Sequence, residues 1–490
     1  MSMDLVRRSL LLSASERYAS LVILFLSTAA LARLLTPEQF GVYAVVGAIT
    51  TVISVSTQEF GGANYIIQKT ALADIHVRTA FTITLALSVA MGLALWLAAG
   101  ALGSAFGVTG VADGVRIAAL GFAATPFATI ASALLRRELM FGALSIGNLA
   151  GNVCNAATSI TLALKGYGFL APIWGQVAGA AAQAICLVTA RNALGLFKPS
   201  LAGRGDVIHF GLISSGVALI NLAYATAPNF FLARMGFDAV GLYSRAMTIT
   251  QLFDKLVIQA LGPVVLPAFA SQSRAGAEIG PLYLRALSLL AALQWPFLLS
   301  VALLAEPIIT LWLGPSWLGA APLVRLLCLG SLALFGACLT YPVLVATGHV
   351  RDALTCSLIS LPPSLAALYA ASFFSVEAVA ATCLLTLPFQ AAVALHFVGR
   401  RLALRLRDIA AALRESAVVA ACCGVAAAAG AAAIHAGWFG PALGLAFSGA
   451  LIAAAGLAGL AATHHPLLSA LKAAAEDRRA LRRPAAPVSH

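Results

Sequence analysis

The chain passes again and again through apolar runs of about twenty residues, the length of helix that crosses a hydrocarbon core of roughly 30 Å. Alanine and leucine dominate these runs. That is the pattern of membrane helices, not of the short alternating strands of a membrane barrel. Only 10% of the residues are charged, against 61% hydrophobic, where a soluble domain carries about 25% charged residues. So little charge cannot clothe a surface facing water, and the expected fold class is an all-α integral membrane protein. About fourteen spans are expected. They begin near Ala14, Gly41, Arg78, Asp113, Ala143, Gly168, Ile208, Val240, Leu282, Pro322, Ala353, Glu377, Arg414 and Pro441. The links between them are short, which leaves no room for an ATPase module.

The net charge of +12 does not point to nucleic acid, because the basic residues alternate with the spans instead of forming one face. They do orient the chain. With Arg7, Arg8, Arg136, Arg137, Arg191, Lys198, Arg400, Arg401, Arg405 and Arg407 on one side, the positive-inside rule places both termini in the cytoplasm. The first apolar stretch contains Glu16 and Arg17 and reads as an uncleaved span. The longest polar links, at 191–206 and 400–414, divide the chain. They suggest six-helix lobes at 1–195 and 205–400, a helix pair at 408–463 and a basic cytoplasmic tail at 464–490. The link HFVGRRLALRLRDIAAALRES is expected to lie along anionic lipids of the inner leaflet. All eight cysteines lie in apolar segments and no C-x-x-C occurs, so neither a disulfide framework nor a zinc site is expected.

An internal repeat supports the division into halves. Shifting LTPEQFGVYAVVGAIT, from Leu35, by 200 residues lays it on MGFDAVGLYSRAMTIT, from Met235. Gly41 then falls on Gly241, Tyr43 on Tyr243, Ile49 on Ile249 and Thr50 on Thr250. The first copy carries a helix start, with Thr36 as N-cap, Pro37 at the first helical position and Gln39 closing a capping box. Matching hairpins of long apolar helices suggest a duplicated membrane protein, as in many transporters; the alternative is that any two membrane hairpins look alike.

A charge at mid-bilayer costs about 2.5–3.5 kcal/mol on insertion scales, so polar residues within spans are the candidates for a functional site. Ser145, Asn148, Asn152, Asn155 and Ser159 form one narrow stripe in span five; interhelical hydrogen bonding is the alternative use of such a stripe. Ser54 lies on a polar stripe of span two with Glu59 near its end, and Ser214 and Asn221 share a face of span seven. Span eight, read as one α-helix, gathers Arg245, Thr248, Gln251, Lys255 and Gln259 on a third of its circumference, beside Asp254. Arg17 and Lys255 are expected to line a cationic, inward-opening cavity with Arg245, and to receive an anionic head group. An internal Arg17–Asp254 or Lys255–Glu59 pair is the competing reading. Glu59 and Asp254 are the candidate carboxylates for coupling to Na+ or H+. No cofactor or metal ligand set is found, and no P-loop, G-x-S-x-G or H-E-x-x-H motif occurs.

Several segments together resemble the bacterial polysaccharide transporter (Wzx-type) flippases of the multidrug/oligosaccharidyl-lipid/polysaccharide exporter superfamily. These are RLLTPEQFGVYAVV, LLRRELMFGALSIGN, FDAVGLYSRAMTITQLF and LGPVVLPAFAS, followed by PIITLWLGPSWLGAAPLVRLLCLG with its L-G-x-x-W-x-x-A-x-P turn. The resemblance implies two pseudo-symmetric six-helix lobes in a V shape plus an extra helix pair, in the bacterial inner membrane. It further implies alternating-access movement of an undecaprenyl-pyrophosphate-linked oligosaccharide repeat unit, for exopolysaccharide, capsule or O-antigen, beside a polymerase and glycosyltransferases. Such a substrate needs basic groups for pyrophosphate, here Arg17, Lys255 and Arg245. It also needs polar groups for sugar, here Ser54, Asn148, Asn152, Asn155, Asn221 and Gln251. The alternatives are a lipid II flippase and a cation-coupled multidrug antiporter. An enzyme such as a glycosyltransferase would normally show a large external loop or catalytic carboxylates, and neither is found.

Overall fold

The computed structural model describes residues 3–60, 62–69, 72–191, 193–202, 205, 220–275 and 277–469, and these contain helices but no strand. The first hairpin forms as its cap chemistry dictates. Helix α1 (Met3–Leu34) stops two residues before α2 (Pro37–Phe60). Between them Gln39 N donates to Thr36 Oγ1 and Thr36 N donates to Gln39 Oε1, both at 3.3 Å. The two bonds satisfy donors that the start of a helix leaves open, and Pro37 sits where no N–H is needed.

After the short α3 (Ala63–Gln68) come α4 (Asp74–Ala105), α5 (Thr109–Leu120), α6 (Thr125–Arg137), α7 (Phe141–Leu164) and α8 (Leu170–Arg191). Helix α9 covers 220–232, and α10 is Phe237–Thr250. Then follow α11 (Gln259–Arg274), α12 (Ile279–Leu303), α13 (Ala305–Trp312), α14 (Ala321–Ser331) and α15 (Ala337–Ala346). The last are α16 (Val350–Ala371), α17 (Val376–Ala381), α18 (Cys383–Leu402), α19 (Leu406–His435) and α20 (Pro441–Ala462). Among the described residues ten stretches are long and apolar enough to cross a membrane, or eleven with the bent pair α5–α6. The chain is a multi-pass helical membrane protein. Helix α7 occupies the expected fifth span, and the first part of the expected seventh lies outside the described residues.

Several of the described spans are interrupted. The fourth bends by 43° between α5 and α6, through a 3-10 turn at Gly121–Ala123 with Pro126 at the start of α6. In the tenth, α14 leads through a 3-10 turn at Leu332–Leu334 into α15. The eighth corrects the sequence reading: α10 ends at Thr250 and a π turn, Asp254–Ile258, precedes α11. One extra residue in a turn advances the helix by about 100°, so no single face runs from Arg245 to Gln259. The basic link before α19 is made of two helix ends and a short turn. Helix α18 continues to Leu402, Ala403 takes the left-handed conformation at φ 53°, and Asp408 Oδ2 caps the start of α19 by accepting from Arg405 N at 2.9 Å.

The chain forms two units. The first is Met1–Arg245 together with Trp312–Gly319 and Leu365–Val379; the second is Ala246–Leu311, Ala320–Ser364 and Ala380–His490.

In the first unit the repeat is visible as a reciprocal contact. A Cβ on Gly41 would lie 1.8 Å from Phe237 O, and one on Gly241 would lie 1.9 Å from Pro37 O. Each helix start meets the glycine of the other, so backbones touch where side chains would forbid it. The loop of the L-G-x-x-W turn secures the same region. Trp317 is fully buried and its Nε1 donates to Ala32 O at 2.8 Å, satisfying a carbonyl in the last turn of α1. Trp312 stacks on Phe25 at 4.4 Å and donates to Phe25 O at 3.0 Å. Helices α7 and α8 pack through Gly147, Gly151, Gly175 and Gly179; a Cβ on Gly175 would lie 1.9 Å from Ser159 Oγ.

In the second unit α12 packs on α15 and α19 through Tyr283, Leu287, Leu290, Leu339, Val343, Ile409 and Leu413. One polar knot sits in this apolar contact. His465, 1% exposed, has its Nε2 3.0 Å from Ser288 Oγ and 3.1 Å from Ser416 Oγ. Its Nδ1 accepts from Leu467 N at 3.1 Å, so the proton belongs on Nε2, which donates to the serines.

Candidate functional site

The polar stripe of α7 divides between neighbours. Asn148 Oδ1 accepts from Gln183 Nε2 of α8 at 2.9 Å, and Asn155 Oδ1 accepts from Ser159 Oγ at 3.1 Å. Both amides therefore serve helix packing and local bonding. Asn152 is exposed and donates to Ser20 Oγ of α1 at 2.9 Å, and Ser20 Oγ donates in turn to Glu16 Oε1 at 3.2 Å. Arg17, half-buried, stands next to this relay on α1.

Ser54 lines a cavity of about 260 Å³ inside the first unit, with Thr50, Thr51, Phe122, Thr125 and Gln176. The cavity is bounded by α2, by the 3-10 break between α5 and α6, and by α8. Thr50 Oγ1 donates to Val46 O at 2.9 Å, Thr125 Oγ1 donates to Gly121 O at 3.1 Å, and Gln176 Nε2 donates to Tyr43 Oη at 2.8 Å.

Arg245, also in the first unit, lies with its guanidinium 4.5 Å from the centroid of the Phe40 ring. Phe40 meets Trp317 edge-on at 5.2 Å and Tyr43 at 6.1 Å. The Arg245 Nη2 is 3.4 Å from Ser244 Oγ, and its Nε is buried without a hydrogen-bond partner. Among the described residues no carboxylate pairs with it. A cation–π contact returns about 0.5–2 kcal/mol, which only partly offsets the cost of burying part of an unpaired guanidinium.

Asn221 on α9 is exposed in the first unit. Gln251, Asp254 and Lys255 belong to the second unit, around the π turn; Gln251 and Asp254 are exposed and Lys255 is half-buried. Single π turns recur at functional sites, which marks this stretch without further assigning it. The side chain of Glu59 and all of Ser214 lie outside the described residues. Among the described residues no three His, Cys, Asp or Glu side chains converge as a metal site.

Sequence reasoning missed the partners of Arg245 and the anchoring role of Trp312 and Trp317. The signal for the tryptophans was present: two large aromatics in one short turn need deep pockets, and their indole N–H groups need acceptors.

Residues 30–322 match the family model described as polysaccharide biosynthesis protein. The succinoglycan biosynthesis transport protein ExoT of Rhizobium meliloti (strain 1021) is 25% identical over 338 residues, 66% of each chain. The lipopolysaccharide biosynthesis protein WzxC of Escherichia coli (strain K12) is 22% identical over 307 residues, 61% of each chain. The chain thus spans less than two thirds of either relative. In fold it is similar to lipid II flippase MurJ in an inward closed conformation, with TM-score 0.72 and 10% identity, covering 91% of this chain and 98% of that one. It is also similar to an inward-facing multidrug resistance MATE family transporter, with TM-score 0.65 and 14% identity, covering 80% of this chain and 98% of that one. The chain belongs to the polysaccharide biosynthesis protein family, and its fold is the one seen in MurJ and the MATE transporter.

Proposed function

We propose that this protein moves an undecaprenyl-pyrophosphate-linked oligosaccharide across the bacterial inner membrane by alternating access, both termini in the cytoplasm, for exopolysaccharide, capsule or O-antigen assembly. In this reading the lobes are 1–195 and 205–400. Arg245, Arg17 and Lys255 attract the pyrophosphate. Ser54, Asn152, Asn221 and Gln251 meet the sugars, while Asn148 and Asn155 chiefly hold helices together. Asp254 and Glu59 are the carboxylates through which Na+ or H+ would couple.

The observation that carries the reading is Arg245, a cation with its Nε buried and unpartnered that no described carboxylate neutralises. Its guanidinium fork suits phosphate oxygens. The test is complementation of a strain deleted for this gene, with surface polymer and membrane-inserted protein measured together. Arg245→Ala is expected to lower export at least tenfold at unchanged insertion. Arg245→Lys, which keeps the charge and loses the fork, is expected to fall between. Normal export by Arg245→Ala would overturn the proposal.

A further inference from the structure

The cavity at the break of the fourth span has an uncharged lining. Its polar lining comes from Thr50, Thr51, Ser54, Thr125 and Gln176, and no charged side chain contributes. The protons of two of these groups are already engaged. Thr50 Oγ1 and Thr125 Oγ1 donate to carbonyls of their own helices, at 2.9 and 3.1 Å. Gln176 turns its amide nitrogen to Tyr43 Oη at 2.8 Å. Each threonine oxygen keeps lone pairs, and Gln176 Oε1 keeps its own. The lining thus offers acceptor oxygens on all five polar side chains and no cation, beside donors such as the second N–H of Gln176. It complements a ligand that brings hydroxyl protons, and it penalises one that brings a negative charge with nothing to pair it.

Size narrows the choice. A volume of about 260 Å³ corresponds to about eight or nine waters at roughly 30 Å³ each. A single bare cation would leave most of that space unfilled. One pyranose ring fits the scale, and Phe122, Val177 and Ala180 supply the apolar wall that the C–H face of such a ring packs against. Gly121 belongs to the same wall, and a Cβ there would meet only Val177 Cγ2, at 3.7 Å.

We propose that this cavity is a sugar subsite for one neutral hexopyranose ring of the transported glycan, read through its donating hydroxyls and closed to uronic acids. The proposal rests on the lipid-linked oligosaccharide reading above and adds the class of sugar that this position accepts.

The test is saturation-transfer difference NMR on the full-length protein in nanodiscs. The probes are the methyl glycosides of glucose, galactose and mannose, with methyl glucuronide as the charged counterpart. At least one neutral glycoside is expected to receive saturation, and the glucuronide none. Thr125→Val and Gln176→Leu each remove an acceptor and are expected to reduce the signal at least fivefold. Gly121→Leu, which fills the cavity, is expected to abolish it, while each variant elutes as the wild type does on size exclusion. Absence of signal from all three neutral glycosides overturns the subsite. So does a signal unchanged in these variants, or one of equal size from the glucuronide. Export by Arg245→Ala is scored separately. Glycoside binding that persists while export ignores Arg245 would retain the subsite and reject the pyrophosphate reading; the opposite pair of results would do the reverse.

Discussion

Adding one methyl group at the crossing of α2 and α10 gives a sharp test of the internal repeat. In Gly41→Ala the new Cβ would start 1.8 Å from Phe237 O, and in Gly241→Ala 1.9 Å from Pro37 O. Real Cβ atoms stay at least 3.0 Å from such neighbours, so the helices must part by at least 3.0 − 1.8 = 1.2 Å at one position and 3.0 − 1.9 = 1.1 Å at the other. A gap of 0.5–1 Å already forfeits about a quarter to a half of a dispersion contact, and overpacking of this kind costs about 1–3 kcal/mol. Phe40 lies beside the crossing, so its edge contact with Trp317 at 5.2 Å and its place under Arg245 at 4.5 Å loosen together. Each single variant is expected to lower the apparent Tm of the purified protein by several degrees, read by tryptophan fluorescence in detergent. The double variant carries the distinguishing result. A displacement that admits one Cβ also opens space for the other, so the pair should fall short of the sum by about 0.5–3 kcal/mol. A neutral Gly41→Ala, or strict additivity, would refute the reciprocal crossing.

Trp317→Ala removes a fully buried indole and is expected to cost about 3–5 kcal/mol. Trp317→Phe keeps most of the ring, loses the bond to Ala32 O, and should lie much nearer the wild type; equal melting of the two variants would remove the indole from its anchoring role. Burial pushes the His465 imidazole below its ordinary range, and Glu415 offsets this in part. A pKa lowered on folding stabilises the native state fully above the unfolded value of about 6.5 and ceases to do so as pH falls through the folded value. Melting should therefore weaken below about pH 6.5, and His465→Gln should flatten that slope; an unchanged pH profile in His465→Gln would show that the imidazole does not set it.

What the sequence made legible was what neighbouring residues decide. Thr36 and Gln39 lie three positions apart and form their capping box unaided. The G-x-x-x-G spacings of Gly147–Gly151 and Gly175–Gly179 are faces on which helices can approach closely, and α7 and α8 do so there. What stayed hidden depends on distant chain or on a change of period. A stripe defines a face of α7 but not its neighbour, so Asn148 and Asn152 looked alike although one bonds to α8 and the other to α1. The face from Arg245 to Gln259 assumed uniform α-helical rotation, which the π turn at Asp254–Ile258 breaks. Arg245 rests on Phe40, a partner that no local pattern names.

The two indoles of the L-G-x-x-W turn also set a timetable for biogenesis. Trp312 and Trp317 reach back 287 and 285 residues to Phe25 and Ala32. At about 5–20 residues per second, the ribosome needs roughly 14–57 s to supply those anchors after α1 has emerged. Throughout that interval the first helix waits in the bilayer without its late-arriving clasp. Nascent chains arrested before Trp312 should therefore be the ones that quality-control proteases remove fastest.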